Sequence, residues 1–245
     1  MHRVLNPLTR DPVAAGLCAL AVMTKAPRPG QVKTRLVPPL TPDEAAQLNR
    51  CFLSDTAAAI AAAAPNRASG IGVYTPVGSE ADYAGILPAT FALLPQRGGD
   101  FGERLTNAAQ DLFRIGFGSV CLIDSDSPTV STAAYAQAAR LLALDGDRVV
   151  LGPSDDGGYY LIGLKQLHRP VFENIDWSTE RVVEQTIAHL RDLNVPIEVL
   201  PTGYDVDDAA TLRRLRDELI GPNATATNAP RTRQFISRFL AHRQL

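Results

Sequence analysis

Cysteine, methionine, tryptophan and histidine are all scarce in this 245-residue sequence, with 3, 2, 1 and 4 copies. Cys18, Cys51 and Cys121 cannot pair evenly, and their spacing matches no zinc or redox motif. They read as small buried apolar residues of a reducing compartment. His2, His168, His189 and His242 are scattered, with no two at metal-ligand spacing on a helix, which argues against a zinc hydrolase. Charge of one sign is lacking as well. The 24 Lys+Arg against 26 Asp+Glu leave a formal net charge of −2, so no broad field exists to hold nucleic acid or an anionic membrane.

Long hydrophobic runs are missing. The apolar stretch at residues 13–23 is too short to span a bilayer. With Arg3 and Arg10 before it, it imitates a signal-peptide core. Lys25, Lys33 and Arg35 follow at once, however, and a buried first strand in a cytoplasmic protein is the better reading. On that reading the sequon Asn223-Ala224-Thr225 carries no glycan. Several catalytic signatures are also absent. There is no G-x-S-x-G elbow and no histidine beside a nucleophile. No G-x-G-x-x-G follows the first strand, which disfavours a dinucleotide dehydrogenase, and Val32 stands where a Walker A loop needs glycine before Lys33-Thr34.

What is present is an alternation of strands and helices. Short apolar runs predict strands at 17–23, 71–75, 91–94, 120–123, 149–151 and 197–200, with a further apolar stretch at 159–164. Thr41, Pro42 and Glu44 form a capping box for a helix that ends at Pro65. Further helices are expected at 101–115, at 133–144, from a Ser178 cap to about 193, and from Asp207 or Asp208 to about 219. This order predicts a three-layer α/β/α fold whose mixed sheet is mostly parallel. Residues 1–15 lack periodicity and read as a loose extension, 16–220 as one domain, and 221–245 as a linker with a short amphipathic helix. In that tail Phe235, Ile236, Phe239 and Leu240 stand among Arg231, Arg233, Arg238 and Arg243. It is expected to dock on its own domain or on a second copy in a homodimer. A helix lying on a membrane surface is the alternative, and stable insertion is not expected.

Four loops carry chemistry, three of them directly after a predicted strand, where ligands of parallel α/β sheets bind. Residues 25–35 hold Lys25, Arg28, Lys33 and Arg35, stiffened by two prolines. Fixed cations of this kind suit a di- or triphosphate, and a solvated basic loop is the bland alternative. In residues 96–104, Gly98 and Gly99 let the backbone approach a ligand, with Arg104 beside them, or else they form a plain helix entry capped by Asp100. Asp124 and Asp126 end a buried strand and offer oxygen ligands to Mg²⁺ or Mn²⁺ when phosphates complete the shell. Asp155-Asp156-Gly157-Gly158-Tyr159-Tyr160 reads as a tight turn beside a binding wall, or as a simple hairpin turn. Late in the chain, Asp205 lies between a strand and the last helix and can bring a second carboxylate to Asp126. Asp207 or Asp208 also reads as a helix cap.

Taken together, Thr24-Lys25-Ala26-Pro27-Arg28-Pro29-Gly30 through Lys33-Thr34-Arg35-Leu36, the blocks at 98–104, 125–128 and 156–163, Trp177-Ser178-Thr179 and Asp205-Val206-Asp207 resemble one bacterial family. It is the radical-SAM/selenodomain-associated transferase 1 group, of the nucleotide-diphospho-sugar transferase superfamily with GT-A fold. The blocks are also similar to guanylyltransferases of deazaflavin cofactor synthesis and, more distantly, to molybdenum-cofactor nucleotidyltransferases. The resemblance covers roughly residues 17–219. It departs at position 124, aspartate where the family usually has glycine, which leaves Asp126 as the implied metal ligand.

The resemblance implies nucleotide-binding roles for Lys25, Lys33, Arg35 and Asp126, to which the loop reading adds Gly98, Gly99 and Arg104. It implies Mg²⁺ or Mn²⁺ on Asp126 with Asp205 or Asp207. Gly157, Gly158, Tyr159, Trp177, Ser178 and Thr179 would face the acceptor, and Asp156, Lys33 and Arg35 would be catalytic. Two reactions fit these parts. One is glycosyl transfer from a nucleotide sugar, slightly favoured by the polar and aromatic surface of Asp156, the tyrosines and Trp177. The other is nucleotidyl transfer from an NTP to a small phosphorylated acid, with release of pyrophosphate. A non-catalytic nucleotide-binding protein is the third reading.

Overall fold

The computed structural model describes residues 2–63, 65, 67–222, 224 and 228–241. Asn223, Thr225, His242 and Arg243, and with them the sequon, lie outside the described residues. Among the described residues, eight strands form one sheet in the order β1-β4-β3-β2-β5-β7-β6-β8. Its centre is β2 (Cys18–Lys25), which pairs in parallel with β3 (Ala68–Thr75) and β5 (Ser119–Ile123). Cys18, Leu20 and Val22 pack into one core and Ala19 and Ala21 into the opposite one. That is why this strand reads as an unbroken apolar run rather than an alternating one.

β1 (Arg3–Val4) and β4 (Ala92–Pro95) complete one side of the sheet in parallel. On the other side β7 (Tyr159–Leu164) runs antiparallel to both β5 and β6 (Val149–Pro153), and β8 (Ile197–Val199) lies parallel to β6. The carboxyl ends of β2, β3, β4, β5, β6 and β8 therefore share one edge with the start of β7.

Helices α1 (Pro42–Ala63) and α3 (Thr132–Leu142) cover one face of the sheet. α2 (Phe101–Ile115) and α4 (Val182–Asp192) cover the other. Local signals place their ends. Thr41 N–H donates to Glu44 Oε2 at 2.8 Å while Glu44 N–H donates to Thr41 Oγ1 at 3.2 Å, and Asp100 accepts Glu103 N–H at 2.8 Å to start α2. α5 (Ala209–Ile220) begins with a second capping box, between Asp208 and Thr211.

Two expectations need correction. Residues 1–15 are not a loose extension throughout. β1 pairs with β4, Leu5 N–H donates to Leu93 O at 2.8 Å, and Leu5 and Ala14 are buried. A two-residue edge strand with both side chains exposed leaves no periodic signal. Ser178 does not cap α4. It sits in a left-handed turn (φ 64°), and the helix starts only at Val182.

α6 (Pro230–Phe239) docks on the chain itself, as one of the sequence alternatives had it. Phe235, Ile236 and Leu240 are buried with Leu48 and Phe52 of α1 and Leu212 and Leu215 of α5. The buried Asp55 of α1 accepts the N–H groups of Arg231 and Thr232 at 3.1 and 2.8 Å, a cap supplied across the helix interface. No helix among the described residues is long and apolar enough to cross a membrane. Replacing Asp55 by alanine leaves two donors at a helix start unsatisfied. Urea unfolding should show a loss of about 1–2 kcal/mol, with amide exchange accelerated across residues 231–236; unaltered exchange there would remove the cap from this account.

Candidate functional site

Loops from four strand ends are tied together at the carboxyl edge. Val206 N–H donates to Asp126 O at 3.0 Å, joining the loops after β5 and β8. Asp155 N–H reaches Gly203 O at 3.1 Å, and Val183 N–H reaches Gly157 O at 2.9 Å. These bonds attach the β6–β7 turn to the β8 loop and to α4. Gly157 takes φ +90°, and a Cβ there would lie 2.1 Å from Glu180 O, so this turn tolerates no side chain.

The loop after β2 reaches into this cluster. Lys33 adopts a left-handed backbone (φ 50°), and Leu36, fully buried, anchors the turn that follows. Conformations of this kind cost about 1 kcal/mol or more in a residue other than glycine. The turn delivers the ammonium between two carboxylates. Lys33 Nζ is 2.9 Å from Asp126 Oδ1 and donates to Asp207 Oδ1 and Val206 O, each at 2.8 Å, with its side chain only 4% exposed. Arg35, whose side chain is mostly exposed, pairs with the other oxygen of Asp207. Sequence positions 173 and 174 residues apart are thus brought into direct contact.

Burial alone would push the Lys33 pKa down, but Asp126 and Asp207 outweigh it and hold the ammonium above its ordinary value. Burial likewise opposes ionisation of Asp207, yet Lys33 and then Arg35 bring its pKa below the usual range. For Asp124 and Asp205 the pull of Lys33 is too weak to offset burial. Asp124 is pushed well up by burial and by the charges of Asp126 and Asp205, against a 2.7 Å hydrogen bond from Ser127 Oγ, and its Oδ1 has no partner. Asp205 rises to about 6 through burial and the neighbouring Asp207 and Asp156.

Two recesses meet here, both lined by Arg35 and Asp207. The smaller, about 240 Å³, is lined by Lys25, Lys33, Asn49, Ser125 and Asp126. The larger, about 390 Å³, carries Asp124, Asp156, Gly158, Asp205 and an aromatic wall. In that wall Trp177 meets Phe101 edge-on at 5.0 Å and Tyr159 at 6.4 Å. Gly102 makes room for it, since a Cβ there would lie 2.5 Å from Phe172 O and 2.9 Å from Trp177 Nε1.

Most of the residues singled out from sequence converge on these recesses. Lys25, Lys33, Arg35 and Asp126 line the smaller; Asp156, Gly158, Tyr159, Trp177, Ser178, Thr179 and Asp205 line the larger; Asp207 lines both. Gly157 shapes the adjoining turn. Gly98, Gly99 and Arg104 line neither. Gly99 N–H donates to Glu103 Oε2 at 2.7 Å and Arg104 Nη2 donates to Gly99 O at 3.1 Å, so this segment closes on itself as a helix entry. Asn49, Phe101 and Glu180 were not anticipated. They come from helices or helix approaches whose sequence pattern reports only packing.

Among the described residues, no three His, Cys, Asp or Glu side chains are already gathered as a metal-binding group. Lys33 stands between two of the candidate ligands instead.

Residues 57–179, half of the chain, match the bacterial family described as uncharacterized protein conserved in bacteria, DUF2064. The chain belongs to that family. No curated protein matches it in sequence. Among solved structures it is similar to a candidate nucleotide-diphospho-sugar transferase of Desulfovibrio desulfuricans G20, with 29% identity, 91% of this chain and 95% of the other covered, and a TM-score of 0.78. A nucleotidyl transferase of Methanothermobacter thermautotroptrophicus matches at 16% identity over 83% of this chain and 98% of its own, with a TM-score of 0.53. A 4-diphosphocytidyl-2C-methyl-D-erythritol synthase of Anaerococcus prevotii matches at 10% identity over 83% and 96%, with a TM-score of 0.50. At these lower identities the likeness is one of fold. The mixed α/β sheet of this DUF2064 member is thus of GT-A type, as the sequence resemblance implied.

The raised pKa of Asp205 makes a stability prediction for metal-free buffer. Folding favours its protonated form, so the ionised group opposes folding above about pH 6, and the penalty disappears below the ordinary value of 3.8. Asp205→Asn should therefore raise stability near pH 8 by about 1 kcal/mol, after allowance for solvent screening, and change little at about pH 4. Thermal melts at both pH values check this; equal effects at the two would contradict it.

Proposed function

We propose that this protein is a nucleotide-dependent transferase that moves a glycosyl group from a nucleotide-diphospho-sugar to a small, hydroxyl-bearing acceptor. The observation that carries this reading is the charge contrast between two connected recesses. The smaller sets Lys25, Lys33 and Arg35 against only Asp126 and Asp207, a net positive balance that suits a diphosphate. The larger is lined by Asp124, Asp156, Glu180, Asp205, Asp207 and Asp208 with only Arg35 as a cation. A phosphorylated acid would meet repulsion there, whereas a neutral hydroxyl compound would find acceptors and an aromatic wall. The similarity to the Desulfovibrio protein, a candidate nucleotide-diphospho-sugar transferase, supports the same choice.

In this reading the donor diphosphate lies against Lys33 and Arg35, and its sugar extends past Asp207 into the larger recess. The acceptor oxygen attacks the anomeric carbon, the bond from that carbon to the diphosphate oxygen breaks, and the acceptor proton passes to a carboxylate. Asp156, which lines the larger recess, takes that proton, since Asp205 is assigned to the metal. Lys33 and Arg35 stabilise the charge that develops on the leaving diphosphate.

The carboxylates also fit Mg²⁺ or Mn²⁺. They are hard oxygen donors, and Asp124 Oδ1 remains buried without a partner beside them. Asp126, with Asp205 and Asp207, would hold the ion, which when bound neutralises charge on phosphate oxygens.

Incubation with a panel of nucleotide sugars, Mn²⁺ and small hydroxyl acceptors should release nucleoside diphosphate. Asp126→Ala should lower turnover by on the order of 100-fold. Pyrophosphate released from an NTP with a small phosphorylated acid would select nucleotidyl transfer instead. Full turnover in Asp126→Ala would remove the assignment of this carboxylate.

A further inference from the structure

The space between Asp126 and Asp207 is held by one of the chain's own cations. An ammonium has three N–H donors. Lys33 donates to Asp207 Oδ1 and to Val206 O, each at 2.8 Å, and its ammonium forms an ion pair with Asp126 Oδ1 at 2.9 Å. With a side chain only 4% exposed, the ammonium cannot turn toward a phosphate without loosening these contacts. The surrounding acids nevertheless remain short of positive charge. Asp124 keeps one carboxylate oxygen buried and without a partner, and Asp205 faces the negative charges of Asp207 and Asp156.

A divalent cation and an ammonium repel one another and cannot both occupy the same pair of carboxylate oxygens. Lysine is also suited to leave. Its four-carbon stem is flexible, and its point charge can transfer to another anion without the fixed planar geometry that arginine demands. Lys33 lines the recess that also presents Lys25 and Arg35, so a polyphosphate bound there would offer the ammonium a new partner.

We propose that Lys33 is a built-in counter-ion that withholds Asp126 and Asp207 from a divalent cation, and that a polyphosphate drawing the ammonium onto its own oxygens frees the pair for the metal. Metal and polyphosphate then bind synergistically, each raising the affinity for the other by the same factor. The second half of this inference rests on the transferase reading, which supplies the polyphosphate; the first half does not.

The test uses the full chain and two probes, Mn²⁺ and inorganic pyrophosphate. Electron paramagnetic resonance of free Mn²⁺ should show that Lys33→Met binds the ion about tenfold more tightly than the wild type when no pyrophosphate is present. Unchanged or weaker binding by a Lys33→Met protein that melts cooperatively would overturn the proposal. A second measurement needs no variant. In ¹⁵N-lysine-labelled wild type, Mg²⁺ should shift the Lys33 ammonium resonance at a concentration about tenfold lower when pyrophosphate is present than when it is absent. A Lys33 resonance unmoved by saturating Mg²⁺, or one shifted at the same Mg²⁺ concentration with and without pyrophosphate, would equally overturn it. The metal-only arms require neither nucleotide nor turnover, so they stand or fall apart from the assigned reaction.

Discussion

The site depends on a buried ion cluster that links distant parts of the chain. Lys33 arrives from the loop after β2, Asp126 from the end of β5, and Asp207 from the approach to α5. An isolated ammonium with a 4% exposed side chain would be costly, and so would Asp207 without a cation. Each is acceptable because the other is there. The left-handed backbone at Lys33 is held by the same arrangement, with Leu36 buried on one side and the carboxylates on the other. Charge pairing therefore joins three loops that the sheet alone would leave side by side.

The fold explains why these loops meet. Parallel strands β2, β5 and β6 deliver their carboxyl ends to one edge, and antiparallel β7 starts there, so the β6–β7 turn lies among them. Cations from one side and acids from the other then create two recesses sharing Arg35 and Asp207, the smaller with three cations against two carboxylates and the larger strongly acidic. That polarity is a physical basis for treating one recess as a phosphate site and the other as a place for a neutral polar group. The aromatic wall around Trp177 adds a surface on which a sugar ring can pack, and the missing side chain at Gly102 gives that wall its room.

Much of this was legible in the sequence. The helix at 101–115 has the predicted bounds, because Asp100 caps it and Gly116 ends it with φ 122°. The capping box at Thr41 and Glu44 likewise marks α1 correctly. The loops of interest stood out because charged and glycine-rich segments follow apolar runs of strand length. What stayed hidden depends on long-range contact. Nothing local shows that Lys33 pairs with Asp207, 174 positions away. Nor does a helix-period pattern reveal that Gly102 serves Trp177, or that Gly98 and Gly99 close on Glu103 rather than standing open. Ser178 misled because a serine before a helical pattern resembles a cap, while its left-handed turn instead places it on the recess wall.

A double-mutant cycle on Lys33 and Asp126 tests the ion cluster most directly. Urea unfolding of Lys33→Met, Asp126→Asn and the double variant, in chelator-treated buffer near neutral pH, gives the coupling between them. The account predicts that the double variant loses less stability than the two single losses added together, by roughly 1–2 kcal/mol. Additive losses would show that the contact contributes nothing to the folded state and would contradict the account.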